Sequence, residues 1–381
     1  MRSMGLRSLF LCSDEKILRL LRRSLGDLEI DVEPCEDADS AVRLLTRRRF
    51  EAVIVDCDDE PTAGKVFASV RSAPCNKHAV AIALISGQQD IRTAFTWGAH
   101  FVLYKPITSE RAKSSFRAAR ALMKCERRRN TRVAVEIPAN LTGLTKAVVR
   151  IVSSDISEGG MAVQLPRRAK KVGPLRIKFS LPGTDHVVDC ATEVAWENPG
   201  LHTGLRFVEL THEERSNLKS WVARHCPEIE QEDPPVPCKL SDLSPGACYL
   251  ETAAPFPERS RVLLMMRVGK HSLQVEGIVR VMHPEVGMGV EFRQNNPYQR
   301  EQVERFIHAL KSSDGKAPEL EVQPEGMEES SPSAASAAPY DGDDPLLDLF
   351  HRRNELSAEA FRAELHRQRA ARPALAHAAS S

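Results

Sequence analysis

One block of sequence recurs at a nearly constant offset of 85 to 87 residues, and this duplication constrains the fold more than any other feature. SDISEGGMAVQL at 154–165 returns as SDLSPGACYLET at 241–252. LHTGLRFVEL at 201–210 returns as VGMGVEFRQN at 286–295, and HEERSNLKSWVARH at 212–225 as YQREQVERFIHAL at 298–310. Three blocks that hold one offset argue for duplication of a whole domain, because chance matches between short strings would not stay in register. The first copy reads as alternating apolar runs without intervening helices: RVAVEIPANL, AVVRIVSSDI, MAVQL, LRIKFSL, VVDCATEVAW and HTGLRFVEL, closed by the amphipathic EERSNLKSWVARH. Each copy should therefore be a small all-β unit with one helix.

The repeat accounts for only part of 381 residues, a length that suits several cores. Residues 1–124 alternate strand-like and helical runs, SLFLC, ILRLLRRSL, AVRLLTRRRF, AVIVD, AIALIS, FVLYKP and ERAKSSFRAARALMK, which predicts a parallel α/β domain. The first β unit then spans 125–228, an acidic and Pro-rich linker 229–237, and the second β unit 238–311. Residues 312–344 are poor in apolar residues and rich in Ser, Pro, Ala and acid, which predicts disorder. In the tail, 345–381, the spacing of Leu346, Leu347, Leu349, Phe350, Leu356, Phe361 and Leu365 predicts a short docking helix.

Composition excludes more than it identifies. Lys plus Arg number 53 against 52 Asp plus Glu, so any attraction for an anion must come from a local cluster. The longest apolar runs fall far short of the roughly 20 residues a membrane-spanning helix needs, and the short apolar run Leu9–Cys12 is no secretory signal. The expected location is the cytoplasm. Nine scattered cysteines form no C-x-x-C pair and suggest neither a disulfide framework nor zinc. Only 5% of residues are aromatic and no helix-turn-helix pattern is present, which counts against nucleic acid as a partner. No constellation of metal, acid and base can be assembled, so an enzyme is not expected and no cofactor is implied.

The chemistry concentrates in two segments that the strands could bring together. Arg127, Arg128, Arg129 and Arg132 precede the first strand of the first β unit; Asp155, Ser157 and Gly160 follow in the turn DISEGG. A guanidinium fork binds phosphate oxygens bidentately and stacks on a purine, while a carboxylate accepts from a guanine N–H edge. Arg128-x-x-x-Arg132 and Asp155-x-Ser157-x-x-Gly160 resemble the two halves of the PilZ fingerprint. The resemblance implies a small β-barrel with a closing helix and cyclic di-GMP as the ligand, held by Arg127, Arg128, Arg132, Asp155, Ser157 and Gly160, with one or two molecules per site. In the second copy Asp242, Ser244 and Gly246 preserve the turn, but Ala247 replaces the last glycine and no arginine pair precedes it. That copy resembles a degenerate PilZ domain without nucleotide, suited to interdomain contact or a homodimer.

Residues 1–124 resemble a response-regulator receiver. Asp56 stands where that family keeps its phosphoacceptor, Ser86 its hydroxyl and Lys105, before Pro106, its lysine. The acidic pair for Mg²⁺ departs from the family, standing as Ser13-Asp14, so Asp14 and Asp56 are the candidate metal ligands and the domain is either a working receiver or a pseudo-receiver. The fold class expected is thus a receiver-like doubly wound α/β domain followed by two PilZ-type β-barrels and a disordered tail. Its expected function is a cyclic di-GMP receptor that transmits binding to a protein partner; the alternative is a phosphorylation-dependent regulator using Asp56, with the β units as contact surfaces.

Overall fold

The computed structural model describes residues 5–87, 90–145, 147–165, 173–198, 200, 202–208, 210–226, 232–293, 297–312, 317–328, 344–352 and 359–368. The chain divides into two compact units, Glu126–Gln231 and Gly5–Cys125 together with Glu232–Ser381. The receiver-like domain and the second copy of the repeat thus share one unit, and the first copy forms the other.

In the receiver-like part, strands β1 (Leu6–Leu11), β2 (Ile30–Cys35), β3 (Ala52–Asp56), β4 (Val80–Ile85) and β5 (Phe101–Tyr104) form a parallel sheet in the order β2-β1-β3-β4-β5. Helices α1 (Glu15–Gly26), α2 (Ala38–Arg47), α3 (Glu60–Ser72), α4 (Asp90–Thr96) and α5 (Ser109–Asn130) connect and follow them. This is the doubly wound order whose ligand crevice lies at the carboxyl ends of β1 and β3. Near-continuous apolar strands such as AVIV and VAIALI are buried because helices cover both faces.

The first copy closes into a barrel. Strands β6 (Val133–Ala134), β7 (Pro138–Thr142), β8 (Val149–Ser157), β9 (Gly160–Gln164), β10 (Leu175–Ser180), β11 (Val187–Glu197) and β12 (His202–Phe207) run β6-β8-β7-β10-β11-β12-β9, and a β8–β9 ladder joins the ends. Closure removes the exposed sheet edges. Helix α6 (His212–His225) begins at a capping box between Thr211 and Glu214, and buries Leu218, Trp221 and Val222 in the barrel core.

The second copy is a barrel left open, with no ladder joining the two ends of its sheet among the described residues. Its strands β13 (Val236–Pro237), β14 (Lys239–Leu243), β15 (Ala247–Glu251), β16 (Ser260–Val268), β17 (His271–His283), β18 (Gly287–Phe292) and β19 (Glu319–Met327) run β13-β19-β16-β17-β18-β15-β14, with α7 (Pro297–Lys311) after β18. The duplication extends to irregularities: the ladder slips between Ser153 and Asp155 and again between Leu240 and Asp242, and likewise at Val194/Trp196 and Val279/Val281. Bulges that recur at the repeat offset mark one ancestral backbone.

Three expectations are corrected. The segment 312–344 was expected to be disordered throughout, yet Glu319–Met327 is β19, paired with β16 from Ser260 to Arg267 in the position that β7 takes beside β10. Within that segment only 313–316 and 329–343 lie outside the described residues. The boundary expected at 124 lies one residue from the division at Cys125/Glu126, but α5 runs through it without a break to Asn130, so Arg127, Arg128 and Arg129 stand on a helix. In the expected linker, Asp233 is held by Arg120 at 2.7 Å and Lys124 at 2.8 Å, and Val236–Pro237 pairs with β19.

Within the larger unit, α5 contributes Ala112, Phe116, Ala119, Leu122 and Met123 to a core shared with Leu250, Phe256, Val262 and Leu264 of the second copy. Arg111 Nε adds a 2.7 Å hydrogen bond to Glu285. The tail also docks: α8 (Pro345–His351) and the helical segment 359–368 bury Leu346, Leu349, Phe350, Phe361 and Leu365 against Ala247, Tyr249 and Val281. Leu347 is partly buried there, while Leu356 lies outside the described residues.

His283 sits under this contact, with its Nδ1 2.9 Å from the Tyr249 hydroxyl and its ring 4.8 Å from that of Phe361. Burial pushes the imidazole down to about 4, and the Arg362 charge acts in the same direction. A histidine held below its ordinary 6.5 contributes stability that is present above that value and is lost as pH falls through 6.5 toward 4. Thermal unfolding from neutral pH into this acid range should fall more steeply for the wild type than for His283→Gln. Parallel slopes would contradict that assignment.

Candidate functional site

The two segments singled out in sequence meet at one end of the first barrel. Strand β6 pairs with β8, setting Val133 opposite Ile156 and Ala134 opposite Asp155. This pairing lays Arg132, the residue before β6, beside the DISEGG turn. Its Nη1 donates to Asp155 Oδ1 at 2.7 Å, a half-exposed pair. One turn earlier, Arg128 Nε lies 2.7 Å from Glu158 Oε1, and both side chains are less than a tenth exposed. Arg127, Arg128 and Arg129 occupy the last turn of α5, where cations complement the helix dipole.

The remaining motif residues shape the turn. Ser157 Oγ donates to the Gly160 carbonyl at 3.1 Å and is buried. A Cβ on Gly160 would stand 2.2 Å from the Leu205 carbonyl, so this glycine lets β9 approach β12. Gly159 has no atom within 4 Å of the corresponding point and its face is open. The structure therefore pairs Arg132 with Asp155 and Arg128 with Glu158 of the same turn, places Arg127 beside Arg128 in the last turn of α5, and gives Ser157 and Gly160 structural positions.

Two residues of this region were missed in sequence. Glu158 lies inside the motif but reads as a spacer; only the buried Arg128 partner reveals its role. The other is Trp196. Asp155 is registered with Ala162, Ala162 with Gly204, and Gly204 with Trp196, a single row across β8, β9, β12 and β11. Their neighbours Ile156, Met161, Val163 and Leu205 point into the core, so the row faces outward. A Cβ on Gly204 would fall 2.1 Å from Trp196 Nε1, so the glycine lets the indole lie on the barrel surface, where it is 41% exposed. An exposed indole is a stacking surface for a flat base.

The receiver-like crevice holds a different arrangement. Lys105 Nζ donates to Asp56 Oδ1 at 2.6 Å and to Asp58 Oδ2 at 2.8 Å, and Ser86 Oγ donates to Asp58 Oδ1 at 2.7 Å. Burial alone would lower the Lys105 pKa, but its hydrogen bonds to Asp56 and Asp58 outweigh this and raise it. The same lysine bond, followed by that of Ser86, lowers Asp58. Asp58 had not been singled out, although it stands two residues after Asp56.

Asp14 is not brought to this cluster as a ligand: its Oδ1 caps α1 by accepting from the Lys16 and Ile17 amides at 2.7 and 3.3 Å. The side chain that reaches Asp56 from the end of β1 is Cys12, whose Sγ lies 3.3 Å from Oδ2. Burial is the main reason that the Cys12 thiol is pushed up to about 11, so it remains protonated. Magnesium prefers carboxylate oxygens, and here a thiol and an ammonium group stand against the aspartate instead. The residues do not fit the ion, and among the described residues no group of three His, Cys, Asp or Glu gathers as a metal site. Cys12→Asp should therefore raise Asp56-dependent labelling by acetyl phosphate with Mg²⁺ well above the wild type. Equal labelling of both would overturn this account.

Residues 126–224 and 223–309 each match the family model described as PilZ domain, so both copies of the repeat are PilZ domains. No curated protein matches the chain. Among solved structures, the receiver domain of a sensor histidine kinase from Pseudomonas aeruginosa is similar at 20% identity, over 31% of this chain and 98% of that one, with a TM-score of 0.28. The chemotaxis response regulator CheY4 of Vibrio cholerae is similar at 19% identity, over 30% and 99%, with a TM-score of 0.29. The signal receiver domain of an HD domain-containing protein from Pseudomonas fluorescens is similar at 22%, over 34% and 96%, with a TM-score of 0.31.

Proposed function

We propose that this chain, a receiver-like domain followed by two PilZ domains, is a receptor for cyclic di-GMP that binds the nucleotide at its first barrel and passes the bound state to a protein partner. The observation that carries this reading is the meeting of the arginine segment with the DISEGG turn, through Arg132–Asp155 and Arg128–Glu158, with an open glycine in the turn; the same barrel carries an exposed indole. In this reading the phosphates of the ligand take the arginines from their carboxylate partners, a charge-assisted exchange. The released Asp155 then accepts from a guanine edge, and Trp196 or an arginine plane stacks on the base.

The second PilZ domain lacks the arginine pair and enters this reading as a scaffold that is fused by its core to α5. No described helix is long and apolar enough to cross a membrane. Phosphorylation of Asp56 as the input is the less favoured reading, because Lys105 and Cys12 take up the carboxylate that a metal would need. Calorimetric titration of the full chain with cyclic di-GMP, run with light scattering for oligomeric state, tests the proposal. Saturable heat at one or two nucleotides per chain is expected. Absence of heat up to high micromolar nucleotide would overturn it.

A further inference from the structure

The first barrel's outward row, Asp155, Ala162, Gly204 and Trp196, has a counterpart in the second: Asp242 is registered with Tyr249, Tyr249 with Gly289, and Gly289 with Val281. The turns match as well, since Ser244 Oγ bonds the Ala247 carbonyl at 3.2 Å as Ser157 bonds that of Gly160. What covers the two rows differs. In the first barrel the point above Gly159 is open and Trp196 lies over Gly204. In the second, both positions are taken by the chain's own C-terminal segment.

The contacts are specific in polarity and shape. Asp344 Oδ2 accepts the Gly246 amide at 2.9 Å, while its Oδ1 caps α8 by accepting the Leu346 and Leu347 amides at 3.1 and 3.3 Å. A carboxylate thus sits on the turn amide that corresponds to Gly159, on the first barrel's candidate anion face. A Cβ on Gly246 would fall 2.5 Å from Leu347 Cδ1, and one on Gly289 would fall 2.5 Å from Phe350 Cζ. In both cases the nearest atoms belong to the tail, so these glycines leave room for it. Phe361 completes the cover, its ring 5.7 Å from that of Tyr249 and 6.2 Å from that of Phe350.

We propose that residues 344–352 and 359–368 are parts of a tethered peptide ligand of the second PilZ barrel, seated on the face that in the first barrel takes the nucleotide. The second barrel has exchanged a phosphate-binding arginine pair for an apolar groove that recognises an amphipathic helix with an acidic N-cap and Leu/Phe anchors at i, i+3 and i+4. This is the helix-in-groove mode of peptide recognition. The comparison with the first barrel rests on the cyclic di-GMP reading, but the docking itself does not and is read without nucleotide.

The test uses the full chain carrying Gly289→Val, which places a branched side chain where the Phe350 ring lies, and separately Phe350→Asp, which removes the anchor. Trypsin cleavage at Arg362 and Arg367 should be slow in the wild type and at least tenfold faster in both variants, with the receiver-like domain and the first barrel unchanged. A synthetic peptide of residues 344–368 should then bind the Phe350→Asp chain saturably and leave Gly289→Val unbound. Tail cleavage equal in all three proteins, or a peptide that binds neither variant, would overturn the proposal. A wild-type mass of two chains that falls to one in Gly289→Val would place the tail on a second copy and overturn the intramolecular assignment. If the peptide result holds and nucleotide titration fails, the cyclic di-GMP reading falls while the peptide site stands.

Discussion

Arg132→Ala should weaken cyclic di-GMP binding by roughly tenfold to a hundredfold, since a hydrogen bond to a charged group contributes about 1.5–3 kcal/mol. It should do so without disturbing the fold. The Arg132–Asp155 pair is half-exposed, at 47% and 26% for the two side chains, and such pairs contribute only about 0–1 kcal/mol to stability. Arg128 is the harder residue to interpret. It is 6% exposed against Glu158 at 8%, and removing one partner of a buried pair costs about 3–5 kcal/mol because the other charge is left uncompensated. Arg128→Ala would therefore lose binding through the fold as well as through the ligand. Calorimetry on Arg132→Ala with an unchanged unfolding midpoint separates the two. Unchanged affinity in that variant would remove the arginines from the site.

The contrast between these arginines shows what sequence could and could not supply. Their spacing, and that of Asp155, Ser157 and Gly160, were legible because they are a local pattern, and the structure adds the reason that they meet, the two-residue ladder of β6 on β8. Glu158 was not legible, since nothing local distinguishes a buried ion-pair partner from an acidic turn residue. Asp14 was misplaced for a related reason: a carboxylate just before a helix can serve a metal or an N-cap with the same sequence, and here the cap took it.

Strand β19 was lost to composition. ELEVQPEGM carries Pro, Gly and acid, yet Leu320 and Val322 alternate into the core. Pro324 is tolerated because the short β13 ends its ladder on β19 at Val322 and leaves no partner waiting for the missing amide. The pressure to form this strand comes from β16, whose free edge would otherwise be exposed. Non-local demand of that kind has no signature in the segment itself. The docked tail is the opposite case: its Leu and Phe stripe was plain in sequence, but not the two glycines that make room for it.

Trp221→Ala should be the most damaging single change in the first barrel. Trp221 is buried at the end of the core, its Nε1 donates to the Pro182 carbonyl at 2.8 Å, and its ring stacks on His225 at 3.9 Å. Truncating a buried aromatic costs about 3–5 kcal/mol, and a domain of this size loses about 4–8 °C of Tm per kcal/mol. The unfolding step of the first barrel should therefore drop on the order of 12–40 °C. Binding should fall with it, but for a reason opposite to that of Arg132→Ala. A ligand that binds only the folded barrel restores about 2.7 kcal/mol at a hundred times its Kd, so saturating cyclic di-GMP should recover much of the lost midpoint in Trp221→Ala. In Arg132→Ala the midpoint should start near that of the wild type and gain little from nucleotide. Scanning calorimetry of both variants with and without nucleotide reads the difference directly. Equal nucleotide shifts in the two would mean that the ligand does not act through the arginine face.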